Sequence, residues 1–149
     1  MNPLSQYNEP SSAPTNWPDR KRLALSIVVN VEEGAEQSVR DGDPRPEPVD
    51  ELGVVLRKPQ RNLANESNYR YGIQAGAPRI LALLAEKNVT ATFTCAALSL
   101  ERAPDLAEQI IASGHEVCAH GLRWTHQHRM NESEERAFIN ATIESITTK

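Results

Sequence analysis

Leu23-Ala-Leu-Ser-Ile-Val-Val-Asn30 runs straight into Val31-Glu-Glu-Gly34, and this stretch decides the fold. Apolar, mostly branched residues follow one another almost without a polar break. That pattern suits a short strand buried on both faces rather than a half-exposed, alternating one. Burial on both faces belongs to parallel sheets covered by helices. The sudden change to two carboxylates and a glycine marks the C-terminal end of the strand.

Upstream, residues 1–20 hold Pro3, Pro10, Pro14 and Pro18 with no apolar period, and read as a flexible N-terminal arm. Downstream, regular pattern is lost from Gly34 to about Gln74. This stretch carries Asp41-Gly-Asp-Pro-Arg-Pro-Glu-Pro48 and Asn65-Glu-Ser-Asn-Tyr69. A loop of that length within a compact domain is functional or disordered. Gly76-Ala-Pro78 then opens a helix, with Ala77, Ile80, Leu81 and Leu84 on one face, running to about Lys87. Residues 89–94 read as a second strand. Pro104-Asp105 opens a helix striped by Leu106, Ala107, Ile110 and Ile111, and Gly114 is its left-handed stop. Residues 116–119 read as a third strand. Asn131-Glu-Ser-Glu134 has the form of a capping box ahead of Phe138, Ile139, Thr142, Ile143 and Ile146. Strands alternating with helices imply parallel βαβ units, an α/β fold.

Composition narrows the function classes. With 39% hydrophobic and 24% charged residues the chain reads as soluble and globular. A net charge of −4 without a basic stripe argues against nucleic acid as a partner. No apolar run reaches the ~18 residues of a membrane span, and the N-terminus lacks the apolar core of a signal peptide. A cytoplasmic chain is expected, with Cys95 and Cys118 as buried thiols.

In parallel α/β folds catalytic groups gather at the C-terminal ends of strands. Two such ends carry titratable clusters: Asn30-Val-Glu-Glu-Gly34 and His120-Gly-Leu-Arg-Trp124. On neighbouring strands they would face one pocket. Glu32 and Glu33 can supply a general base and an orienting group, or can simply begin a solvated loop. The Asn30 amide can hold a substrate or a carboxylate. His120 has room beside Gly121, and a hydrogen-bonded loop histidine is the plain alternative. His115, at the opposite end of its strand, reads as structural. His126 and His128 read as a solvated polar loop, with chelation the alternative. Arg123 can grip a carboxylate or carbonyl oxygen and Trp124 can wall a pocket, and either can equally be packing.

At these motifs, over about Leu23 to Thr148, the sequence resembles the polysaccharide deacetylase (NodB-homology) superfamily, also called carbohydrate esterase family four. The resemblance rests on Leu23 to Gly34, on Tyr71-Gly72 with Ala75-Gly76 and Pro78-Arg79, and on Thr90-Ala-Thr-Phe-Thr94. Its most specific part is Ala112-Ser-Gly-His-Glu-Val-Cys-Ala-His-Gly121. The family holds a divalent metal through an acidic residue and a His-x-x-x-His pair. Here His120 matches the first histidine, Trp124 stands at the second, and the acidic motif is Glu-Glu rather than Asp-Asp. That form is similar to the metal-independent, allantoinase-like branch, which opens the hydantoin ring of allantoin to allantoate in purine degradation.

The resemblance implies a cytosolic hydrolase of non-peptide C–N bonds, often a tetramer, folded as a distorted (β/α) barrel and acting on a small molecule without nucleic acid or membrane. It implies catalytic roles for Glu32, Glu33 and His120 and substrate contacts by Asn30, Arg123 and Trp124, with no metal cofactor. A one-residue shift of the acidic motif places its roles on Asn30 and Glu32 instead. The alternative is a metal-dependent N-deacetylase of polysaccharides or chitooligosaccharides, with Glu33, His120 and His126 on one divalent ion such as zinc. A further alternative is an inactive fragment or pseudoenzyme. Since a barrel needs ~250 residues, residues 21–149 are expected to be the N-terminal part of the domain, truncated at the C-terminus, inactive alone and with exposed sheet edges.

Overall fold

The computed structural model describes residue 17 and residues 21–48, 53, 55, 56 and 58–148. The expected arm over residues 1–20 lies outside the described residues, apart from Trp17.

Three short strands form a parallel sheet in the order β1 (Val28–Val31), β2 (Thr92–Cys95), β3 (Glu116–Ala119). Val29 pairs with Phe93 and Phe93 with Val117, so these three side chains share a face. That face carries the core. Val31, Phe93 and Cys95 pack with Leu81 and Leu84 of α2 (Ala77–Glu86) and with Leu106, Ala107 and Ile110 of α4 (Pro104–Ala112). Phe93 and Ile110 are fully buried, and each such side chain contributes roughly 1.5–3 kcal/mol of transfer free energy.

The opposite face is open, which corrects the reading of β1 as a strand buried on both sides. Val28 is 56% exposed, and Leu23 and Leu25, 75% and 79% exposed, precede the strand. The helices cover a single face, so the branched residues of the run have cover only where the pleat turns them toward α2 and α4. Cys118 lies on the open face and is exposed, whereas Cys95 is buried. Burial pushes the Cys95 thiol up to about 12. The expectation of two buried thiols therefore holds for Cys95 alone. His115 sits at the far end of β3, its ring against Phe93 and its Nδ1 accepting the Ala91 N–H, a structural role.

The long irregular segment contains a helix that periodicity did not show. α1 (Leu63–Tyr71) starts at Asn62, whose side chain accepts the Asn65 N–H, and continues through a wide π turn (Gly72–Gly76) into α2. Its apolar residues are too few to make a stripe. A second unforeseen helix, α3 (Ala97–Arg102), leaves the end of β2 and precedes α4. α5 (Glu132–Thr147) is opened by the capping box of Asn131 and Glu134, both of whose bonds are formed. Gly114 ends α4 with φ +74°, as expected. Among the described residues no helix is long and apolar enough to cross a membrane.

Candidate active site

The pleat carries the chemistry to one place. Val28, Thr92 and Glu116 are in register, and so are Asn30, Thr94 and Cys118. All six side chains stand on the open face. Two residues further along β1 and β3 come Glu32 and His120, just past the C-terminal strand ends. The His120 N–H donates to the Cys95 carbonyl at 2.8 Å, which extends the ladder by one step and fixes where the imidazole leaves the sheet.

Glu32 and His120, 88 positions apart in sequence, meet with Oε1 and Nε2 at 3.3 Å. Asn30 donates from Nδ2 to the same Oε1 at 3.1 Å. Asn30 and His120 thus hold one carboxylate oxygen from two sides. The carboxylate is about one-quarter exposed and the imidazole nearly half exposed, so both remain open to a ligand.

Glu33 is placed differently. Its Oε2 accepts the Glu32 N–H at 3.3 Å, and its side chain lies against the bare backbone of Gly72. A Cβ on Gly72 would come within 2.5 Å of Glu33 Oε1. Glycine inside a helix costs about 1 kcal/mol relative to alanine. Here it leaves the space that the Glu33 carboxyl occupies.

Arg123 and Trp124 fasten the two strand-end segments to each other. The Arg123 guanidinium donates to Asp43 Oδ1 at 3.0 Å and Oδ2 at 2.7 Å, and to the Glu36 carbonyl at 3.3 Å. Its planar fork matches a carboxylate in two-point contact. The Trp124 N–H donates to the Ala35 carbonyl at 3.0 Å, and its indole meets the Tyr69 ring edge-on at 5.6 Å. Indole Nε1 is buried with no partner among the described residues. Arg102 supports the same loop, with its guanidinium on the Gly34 carbonyl and 3.3 Å from Asp41. Burial works to raise the Asp43 carboxyl, but the Arg123 fork and the Ser38 N–H outweigh it and hold the group below the usual carboxylate range.

An open pocket of about 1220 Å³ lies over these strand ends. Glu32, His120, Arg123, Trp124 and His126 line it, together with Glu47 from the proline-rich segment. Glu47 was not singled out in the sequence, where it is one polar residue between two prolines. The deacetylase ligand set of Glu33, His120 and His126 is not assembled. Among the described residues no three His, Cys, Asp or Glu side chains converge as a metal ion needs. His126 instead packs on His128, ring centroids 5.5 Å apart, and the place four residues after His120 holds an indole, which has no lone pair to give. The described residues therefore do not assemble the donor set for the metal that the family implies.

A family model described as polysaccharide deacetylase matches residues 67–149, more than half of the chain. The chain belongs to the polysaccharide deacetylase family. A curated member, a Schizosaccharomyces pombe protein assigned to the polysaccharide deacetylases, is 32% identical over 135 residues, covering 87% of this chain and 42% of its own length. Among solved structures, the Puue allantoinase and a polysaccharide deacetylase homologue from Pseudomonas aeruginosa PAO1 each match with TM-score 0.81 and 35% identity. Each match covers 89% of this deacetylase-family chain and 45% of the other. A Mycobacterium smegmatis homologue matches with TM-score 0.67 and 27% identity. The chain thus spans a little under half the length of these relatives, and its parallel α/β sheet is part of the distorted barrel they share.

Proposed function

We propose that the protein is a hydrolase of non-peptide C–N bonds that opens the cyclic amide of allantoin to give allantoate, with no step carried by a metal. The observation that supports this most is the Glu32–His120 pair at the strand ends, braced by Asn30, with Trp124 at the sequence position of the family's second imidazole. The likeness to an allantoinase points the same way, and the likeness to deacetylases is equally close.

In this reading a water molecule attacks the ring carbonyl carbon. The free oxygen of Glu32 takes its proton as the new C–O bond forms. His120 Nε2–H, 3.3 Å from Glu32, turns to the oxyanion and stabilises it. Collapse breaks the C–N bond, and the proton held by Glu32 passes to the departing ring nitrogen. Collapse leaves a carboxylic acid, which releases its remaining proton to solvent to become the carboxylate, and a freed N–H, and the pair returns to its starting state. Glu33 supports the reaction by accepting the Glu32 N–H, and Arg123 positions the loop through Asp43.

The rival reading, an N-deacetylase of chitooligosaccharides, is supported equally by the family and calls for metal donors that the described residues do not bring together. The two differ in product. The full-length protein should consume allantoin and release no acetate from chitotetraose. Acetate release without allantoin consumption would reverse the assignment. Within the first reading the setting is cytosolic purine breakdown.

A further inference from the structure

We infer that Glu47 grips the ureido arm of the substrate, and so selects a hydantoin that carries this arm over one that lacks it. The inference deepens the proposed function and rests on it.

Glu47 shares the pocket with Glu32 and His120 but comes from a different segment. It sits in the run Asp43-Pro-Arg-Pro-Glu-Pro48, where alternate prolines fix φ and leave the backbone few alternatives. Pro46 is buried. The Glu47 N–H donates to the Gln37 carbonyl at 2.9 Å, and the Gln37 N–H reaches back to Glu47 Oε2 at 3.4 Å. The side chain is thus anchored at its base before any ligand arrives, which lowers the ordering cost of binding.

Its carboxyl is under-supplied with donors. The 3.4 Å contact is long, and Oε1 has no hydrogen-bond donor among the described residues. No cation lies within ion-pairing distance among the described residues, although Arg123, Arg45 and Arg129 line the same pocket. Arg123, the nearest of these in its electrostatic effect, is engaged by Asp43. Glu47 is only partly buried and Oε1 is not among the buried unpartnered atoms, so a donor from a ligand would take the place of water on a carboxylate that the described residues leave largely unengaged. Burial and the neighbouring Glu36 work to raise the Glu47 carboxyl, against the Gln37 N–H, His126 and Arg123, and the net effect is upward.

A ureido group supplies what is missing. Its N–H bonds lie in one plane and can meet both oxygens of a carboxylate, as a guanidinium does. Allantoin is a hydantoin ring bearing such an arm. With the ring carbonyl set over the Glu32–His120 pair, the arm is the part left to contact another wall of the pocket.

The test separates arm from ring. In full-length protein carrying Glu32→Gln to stop turnover, calorimetry measures the binding of allantoin and of unsubstituted hydantoin, with and without Glu47→Ala. Glu47→Ala should weaken allantoin by at least about tenfold, as expected for loss of a charged hydrogen-bonding partner. Hydantoin should change by less than about twofold. Equal weakening of both probes, or unchanged allantoin binding, overturns the role of Glu47 and leaves the proposed function standing. If protein with native Glu47 binds neither probe and the wild type turns over neither, the proposed function falls and this inference with it. Glu47→Gln, which keeps an acceptor and the side-chain shape, should recover part of the allantoin affinity. No recovery, together with a lowered melting temperature in both variants, would assign Glu47 a structural role instead.

Discussion

Replacing Asp43 with Asn tests whether the site depends on the clasp between the two strand-end segments. The carboxylate receives two bonds from Arg123, at 3.0 and 2.7 Å, and the Ser38 N–H at 2.8 Å. Hydrogen bonds to charged groups contribute about 1.5–3 kcal/mol each, but they are not additive. Arg123 and Asp43 side chains are 29% and 17% exposed, so water screens part of the interaction. Asparagine keeps the shape and one acceptor while leaving the guanidinium half-buried without its counter-charge. The expected loss is about 2 kcal/mol at pH 7, on the order of 4–8 °C in melting temperature for a domain of this size.

The pH dependence gives this prediction its sign. The folded carboxyl is held below its ordinary value of ~3.9. Its contribution is therefore complete above that value and vanishes as pH falls through the lower, folded value. Wild type and Asp43→Asn should differ by the full amount in urea denaturation at pH 7 and converge in strong acid. A difference below about 0.5 kcal/mol at pH 7, or one that persists unchanged in acid, would refute the reasoning, since neither fits a charge clasp.

Three further outcomes follow. Glu32→Gln should lower kcat on allantoin by about 10²- to 10⁴-fold, the range for loss of a general base, while binding changes little; steady-state kinetics against calorimetric affinity decides it, and near-normal kcat would remove Glu32 from the base role. Gly72→Ala should push the Glu33 carboxyl from its seat and lower kcat/KM. Its stability should stay within about 1 kcal/mol, because the helix gain offsets the displacement; unchanged kinetics would show that the position of Glu33 is immaterial. Asn131→Ala removes one side of the capping box and should cost about 0.5–2 kcal/mol in denaturant unfolding with no kinetic effect.

Much of the fold was legible because it rests on local chemistry. The strand at 116–119, the left-handed stop at Gly114 and the Asn131 cap each depend on residues that are neighbours in sequence. The meeting of Glu32 with His120 was legible at one remove, since parallel strands put such groups at one end of the sheet. What could not be read depends on distant partners. α1 has little apolar stripe and is set by the Asn62 cap and by packing along the turn into α2. The engagement of Arg123 was hidden because Asp43 lies 80 positions away. Glu47 carries no motif, and its place on the pocket wall is visible only in the folded chain. The open face of the sheet was concealed by an apolar run that reads the same whether one side or two are covered.

Allantoin turnover by the full-length protein, measured before and after exhaustive chelation and again with zinc restored, tests the central claim most directly. The Glu32–His120 arrangement predicts turnover that survives chelation and gains nothing from zinc. No turnover of allantoin, or turnover that disappears on chelation and returns with the metal, would contradict it.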